Sequence, residues 1–274
     1  MLDKDLQRRI LDHVQKRPCT VQEIAALTGR NWRTAERYVA QLERETGLIA
    51  TRTFREGTRG ALKVVYWNAL EAAKGSAYQE RLLRRVLNGS RKEEFSPFDI
   101  YQFIGAGKRE ALQTTEEFGK GKDDPLATAQ RQVLFLSGNL SWTAAKGNVA
   151  AVELLARRRV SMKVLTRIDI TSQANVERLL AINQRTGWDA IQVRHCAQPL
   201  RGIVVDDTIA SLKEVFSPSA VREAKRKTFL FYRISDEEWI GWLQKAFWHL
   251  WDGSVDAATR LEALASVRKD PKTL

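Results

Sequence analysis

From Arg131 onward, short β-rich runs alternate with helical ones, and this limits the fold more than any other feature of the chain. QVLFLSGNL, VSMKVLTRI, AIQVRHC, RGIVVDDTIASLKEV and TFLFYRISD are strand-like, with AAKGNVAAVELLARRR and TSQANVERLLAINQRTG standing between the first three. Such alternation builds a largely parallel or mixed sheet with helices laid on it, because each helix returns the chain to the start of the next strand. An α/β sandwich closed by C-terminal helices is expected over residues 126–274. The full 274 residues exceed the usual span of one domain, about 100–200 residues, so a second unit should precede it, and the fold class of the whole is α+β / α/β.

The first 69 residues carry a different pattern. Leu6, Ile10, Leu11 and Val14 recur at helical spacing in LDKDLQRRILDHVQKR, which Pro18 closes. Thr20 and Glu23 have capping-box spacing at the head of VQEIAALTG, and Gly29 supplies a turn. Asn31 caps NWRTAERYVAQLERETG, with Ala35, Val39 and Leu42 facing inward and Gly47 at its end. LIATRTFRE and ALKVVYWNA, joined by GTRG, then read as a β-hairpin. Three helices and a hairpin make an N-terminal winged helix-turn-helix over residues 1–69.

Residues 70–125 read as a connecting helical segment. AYQERLLRRVLNG places Leu82, Leu83, Val86 and Leu87 on one stripe, and GKGKDDP, from Gly119 to Pro125, is a flexible boundary before the second domain. Gly105-Ala106-Gly107-Lys108 is not a phosphate loop, since Gln102 and Arg109 stand where a glycine and a Ser or Thr are needed.

The net charge of +12 calls for a polyanionic partner, and residues 1–70 hold 13 Lys and Arg against 8 Asp and Glu. The third helix is the candidate duplex-DNA reader. Arg30, Arg33, Arg37 and Gln41 share its outer face, and Asn31, Thr34 and Tyr38 reach other base edges or phosphates. A helix fits the major groove, and Arg can pair two donors with guanine O6 and N7. Arg52, Arg55, Arg59 and Lys63 on the hairpin are expected at the backbone or minor groove. Winged helices also serve as protein-binding modules, and Trp32 reads as a brace rather than a base contact.

The remaining composition excludes several classes. No apolar run reaches the roughly 18 residues of a membrane span, and the charged MLDKDLQRRI is no secretory leader. A soluble, cytoplasmic, nucleoid-associated protein is expected, with no membrane partner. Cys19 and Cys196 form no C-x-x-C, so neither a disulfide framework nor a metal site is indicated; both read as buried apolar residues. Nothing in the sequence calls for a cofactor or names an effector.

One motif bears on catalysis. Within RHCAQPLRGIVVDD, the tail has the spacing of a His-x-Lys-x4-Asp element, with Pro199 in the place of His, Arg201 in that of Lys, and Asp206 kept. With the strand VLFLSGNLSW, the N-terminal unit and the C-terminal FWHLWDGSVDAATRLEAL, it makes the chain similar to archaeal transcription regulators of the TrmB type, in which a winged helix precedes a phospholipase-D-like domain. The resemblance implies a His that attacks phosphorus, a Lys that neutralises phosphate oxygens and an Asp that orients them. Pro199 has no nucleophilic group, so a non-enzyme is expected. His195 lies four residues from Pro199, about 13 Å along a strand, and His13 and His249 sit in helical segments. Arg201 is left to bind an anion or to pair with Asp206 or Asp207.

The resemblance also implies pairing of such domains face to face. In EEWIGWLQKAFWHLW, Trp239, Trp242 and Trp251 share a broad apolar arc, with Trp248 at its edge. An arc that wide needs two packing partners, the sheet and either a second subunit or the chain's own domain. The resulting expectation is a homodimeric, sequence-directed duplex-DNA-binding transcription regulator. A chromatin-type protein coating DNA with little sequence preference is the alternative, and a phosphodiesterase comes third.

Overall fold

A computed structural model describes residues 2, 4–55, 61–68, 76–114, 124–216 and 228–269. The hairpin tip GTRG, with Arg59, and Gly119 to Asp123 of the expected boundary lie outside the described residues.

Helices α1 (Lys4–Lys16), α2 (Val21–Thr28) and α3 (Trp32–Thr46) follow the apolar periodicity within a residue or two. The two-residue strand β1 (Cys19–Thr20) precedes α2, and β2 (Ile49–Arg55) and β3 (Ala61–Trp67) form the hairpin. The strands run in the order β1-β3-β2, with Cys19 opposite Val65 and Ile49 opposite Trp67. Ile10, Val14, Ile24, Val39, Leu42, Ile49 and Val65 make one core beneath the helices.

The chain continues through α4 (Ser76–Asn88), the single-turn α5 (Phe98–Tyr101), β4 (Arg109–Thr114), β5 (Gln132–Leu136), α6 (Lys146–Arg157) and β6 (Ser161–Thr166). Then come α7 (Gln173–Thr186), β7 (Ile191–His195), β8 (Gly202–Val205), β9 (Ile209–Phe216), β10 (Thr228–Ile234), α8 (Glu237–Asp252), β11 (Val255–Asp256) and α9 (Ala257–Lys269). Eight strands form one mixed sheet in the order β11-β7-β6-β5-β8-β9-β10-β4. β5, β6 and β7 are parallel, with α6 and α7 as crossovers, and every other pairing is antiparallel. One face packs beneath α6, α7 and α9, and the other beneath α4 and α8. No described helix is long and apolar enough to cross a membrane.

Three expectations change. Residues 76–114 are not a connector: α4 packs on α8, and β4 is the edge strand, paired with β10 from Arg109 opposite Ile234 to Thr114 opposite Phe229. REALQT has no β-branched apolar residue, so its strand character comes from the neighbour it pairs with. The aromatic arc of α8 finds its second partner inside the chain. Trp239, Trp242 and Trp251 are buried, the Trp242 indole N–H donates to the Gln79 carbonyl at 3.1 Å, and only Trp248, 37% exposed, reaches the surface. The wide apolar arc is thus filled by the sheet and α4, not by a second subunit. Cys196, read as buried, is only partly so; Cys19 is buried.

The hairpin does not stand free either. Phe54, Leu62 and Val64 turn their side chains away from the helices and pack on Phe98, Tyr101, Leu230 and Tyr232. The rings of Phe54, Phe98, Tyr101 and Tyr232 meet at centroid separations of 5.1–6.2 Å. The hairpin is therefore sandwiched, with Val65 against the helical core and its neighbours Val64 and Leu62 against the larger domain.

Candidate nucleic-acid interface

Helix α3 is positioned by capping at its start and by one buried stripe. The Thr20 hydroxyl accepts from the Glu23 N–H at 3.1 Å, and the Glu23 carboxylate accepts from the Thr20 N–H at 2.7 Å. Arg17 holds that carboxylate at 2.6 Å. Gly29 then turns the chain at φ 64°, a left-handed conformation costing other residues about 1–2 kcal/mol. The Asn31 side chain accepts from the Thr34 N–H at 2.9 Å and starts α3. Ala35, Tyr38, Val39 and Leu42 obey the i, i+3, i+4, i+7 rule and are buried.

The opposite face carries Arg30, Arg33 and Arg37, all exposed, with Gln41 half-buried and Arg44 exposed beyond it. From Arg33 to Arg44 the helix rises about 16 Å. Its carboxylates are engaged toward the hairpin or the helix end. Glu36 pairs with Lys63 at 3.0 Å, Glu43 accepts from the N–H and hydroxyl of Thr51, and Glu45 accepts from the Gln41 amide at 2.9 Å. Among the described residues, no carboxylate pairs with Arg30, Arg33 or Arg37. A stripe of guanidinium groups is left facing solvent, which suits a polyanion.

Not every expected contact lies on that surface. Tyr38 is 5% exposed and belongs to the core, because it sits three residues after Ala35 and completes the inward stripe. Arg52 shares the Phe54 face of its strand and lies 5.1 Å from the centre of the Tyr101 ring, which Arg109 also approaches at 4.8 Å, so it serves the domain junction. Lys63 is tied to Glu36. The Arg55 side chain, like Arg59, lies outside the described residues. Asn31 spends its carbonyl oxygen on the cap and Thr34 is half-buried, whereas Trp32, read as a brace, is 43% exposed beside Arg33. Its exposure was hidden in the sequence because it falls at the first helical position, before the periodic stripe begins.

The broken motif spans β8: Pro199 and Arg201 lie where β5, β6 and β7 finish and β8 begins, and Asp206 lies at the opposite end, where β8 finishes and β5 begins. Asp206 accepts from the backbone N–H groups of Gln130, Arg131 and Gln132 at 2.8–2.9 Å, and Asp207 pairs with Arg131. Neither meets Arg201. Burial works against the Asp206 carboxylate, but the three N–H donors outweigh it and hold its pKa below the usual carboxylate range. His195 Nδ1 accepts from the Ile168 N–H at 2.8 Å, and burial first, then the charge of Arg260, lowers the imidazole pKa. β6 and β5 separate its strand from β8, about 14 Å at the usual strand spacing. Neither motif carboxylate, Asp206 or Asp207, nor the imidazole of His195 is therefore brought to Arg201.

Arg201 is instead fixed by backbone. Its Nη1 donates to the carbonyls of Gln198 and Leu200 at 2.7 and 2.6 Å, and its Nε lies so near Gly138 that a Cβ there would come within 2.8 Å. Burial and the neighbouring Arg167 pull its guanidinium down to about 10. It lines a trough of about 500 Å3 whose floor is Ile203, Ser211, Val215, Phe231 and Leu112, the face of β8, β9, β10 and β4 turned away from the hairpin. Phe135 and Trp142, stacked at 5.8 Å and buried, border it from the core.

No known family model matches the chain, and no curated protein does. Among solved structures it is similar to Nuc, a phospholipase D family member from Salmonella typhimurium, at 14% identity over 54% of this chain and 98% of that one, with a TM-score of 0.40. It is also similar to TrmBL2, an archaeal chromatin protein described as showing a novel mode of DNA binding, at 14% identity over 92% of this chain and 93% of that one, with a TM-score of 0.41. NucT from Helicobacter pylori is 14% identical over 48% of this chain and 86% of that one, at a TM-score of 0.35.

Proposed function

We propose that the chain binds duplex DNA by laying α3 in the major groove, with Arg30, Arg33 and Arg37 as the contacting side chains, and that it does not hydrolyse phosphate esters. The observation that carries this reading is the stripe of arginines that have no carboxylate partner among the described residues, on a helix whose glutamates are engaged elsewhere. A helix presenting guanidinium groups fits that groove in width and in hydrogen-bonding pattern. Hydrolysis would need a nucleophile near Arg201, where Pro199 stands and where His195 is about three strand spacings away.

The role proposed is that of a sequence-directed regulator, because arginines deep in the groove meet guanine edges. The distinguishing measurement is fluorescence anisotropy with a duplex selected from a random pool and with an unselected duplex of equal length. A preference of about tenfold or more supports a regulator; equal affinities support a protein that coats DNA. With Trp239, Trp242 and Trp251 buried inside the chain, binding is proposed for the single chain. Pairing of two copies would multiply its grip through effective concentration. Hydrolysis of bis(p-nitrophenyl) phosphate by the purified chain, abolished in His195→Ala, would overturn the non-enzyme reading.

A further inference from the structure

We propose that the trough beside Arg201 takes a small amphipathic phosphate ester of nucleoside-monophosphate size, its phosphate on Arg201 and its flat body along the floor of Ile203, Phe231, Val215 and Leu112. The trough volume of about 500 Å3 lies within the usual range for small-molecule sites, about 300–1,000 Å3. This inference does not depend on α3 binding DNA.

Charge sets the direction of the ligand. Arg201 is largely buried, donates only to carbonyls through Nη1, and has no carboxylate partner among the described residues. A buried cation held by neutral groups alone is costly until an anion joins it, and a guanidinium fork matches the oxygens of a phosphate. Lys92 also lines the trough, next to Glu93, whose negative charge reaches Arg201 without pairing with it. At the β4 side, the lining carboxylates already have partners: Glu110 pairs with Arg233 at 3.2 Å, and Asp124 accepts from the Leu126 N–H at 3.0 Å. The anionic end of a ligand is thus drawn to Arg201.

The remaining surface sets the chemistry of the body. Ile203, Phe231, Val215 and Leu112 form an apolar floor around Lys213, whereas Phe135 and Trp142, 3% and 7% exposed, belong mainly to the core behind the trough. A sugar alone would leave its hydroxyls facing hydrocarbon, whereas a heteroaromatic ring covers the floor with one face and keeps polar edges for Asn139 and Ser141, which also line the trough.

The test is isothermal titration calorimetry of the full chain with adenosine monophosphate, adenosine and inorganic phosphate. The monophosphate is expected to bind at least about tenfold more tightly than either fragment. Arg201→Met should lower its affinity by about tenfold or more, and Leu112→Trp, which narrows the trough from the exposed edge strand without touching Arg201, should do the same. Circular dichroism establishes that each variant is folded. Absence of binding by the monophosphate up to about 10 mM, equal affinities for it and adenosine, or full retention of binding in folded Arg201→Met would each overturn the proposal. Should Arg201→Met fail to fold, unchanged binding in Leu112→Trp overturns it alone.

Discussion

Arg33 and Arg37 stand four residues apart on α3 and share the face that Arg30 begins, so each should contribute separately to a DNA contact. Replacing either by Ala is expected to weaken duplex binding by about 1–3 kcal/mol if it reaches a guanine, or to reduce the slope of log affinity against log salt by about 1 if it reaches a phosphate. Anisotropy titrations at several salt concentrations separate the two. Asp206 is a residue of another kind, since its oxygens hold three backbone N–H groups at the start of β5. Asp206→Ala should cost about 2–4 kcal/mol in urea unfolding, because those donors lose a charged acceptor. Its folded pKa is depressed, so its contribution is present above the unfolded value of about 3.9 and lost as pH falls through the folded one. The variant should therefore show a flatter acid limb. At this scale the sequence was partly legible. The inward Tyr38 could have been read from its spacing to Ala35, but the partners of Asp206 lie some seventy residues away and carry no local mark.

Helix α8 puts its aromatic residues between the sheet and α4, so its packing is internal. Trp242→Ala should destabilise the chain by about 3–5 kcal/mol, through the cavity and the freed Gln79 carbonyl, while Trp248→Ser should change stability by under about 1 kcal/mol. Denaturant midpoints measure both, and size-exclusion chromatography with light scattering should give the same mass for Trp248→Ser as for the parent chain. The width of the arc was readable, but its second partner was not, because α4 is an amphipathic helix of a common kind more than 150 residues earlier. The same holds for β4, whose alternating polar residues look like a loop until β10 is laid beside them. Elements with strong internal periodicity, such as α1, α3 and the strands β5 to β7, were placed correctly from the sequence, since their apolar residues repeat at the period of the structure they adopt.

The two domains are joined by the cluster of Phe54, Leu62, Val64, Phe98, Tyr101, Leu230 and Tyr232. Phe54→Ala should loosen that junction, raising the rate of proteolytic cleavage between the domains more than it changes the helical signal. Glu214 lies at the same junction, accepting from the hydroxyls of Ser96 and Tyr232, with Glu23 and Asp99 as its negative neighbours. Desolvation pushes its carboxyl up to about 7, and burial pushes Asp99, paired with Arg85 at 2.8 Å, up to about 6. A carboxyl raised on folding contributes stability that is complete below its unfolded value, about 4.3 for Glu, and disappears as pH climbs through the folded one. Urea midpoints should fall between pH 5 and 8, and less so in Glu214→Gln. The winged helix and the α/β sheet were legible as separate units, while their union was not, because Phe54 and Tyr232 belong to different patterns. That union gives β10 two audiences. Phe231 and Arg233 look into the trough, while Leu230 and Tyr232, their immediate neighbours, bear on the hairpin behind α3. One extended backbone thus serves as the partition between both compartments, and any shift that an occupant imposes on it is handed directly to the arginine-bearing module without passing through a linker.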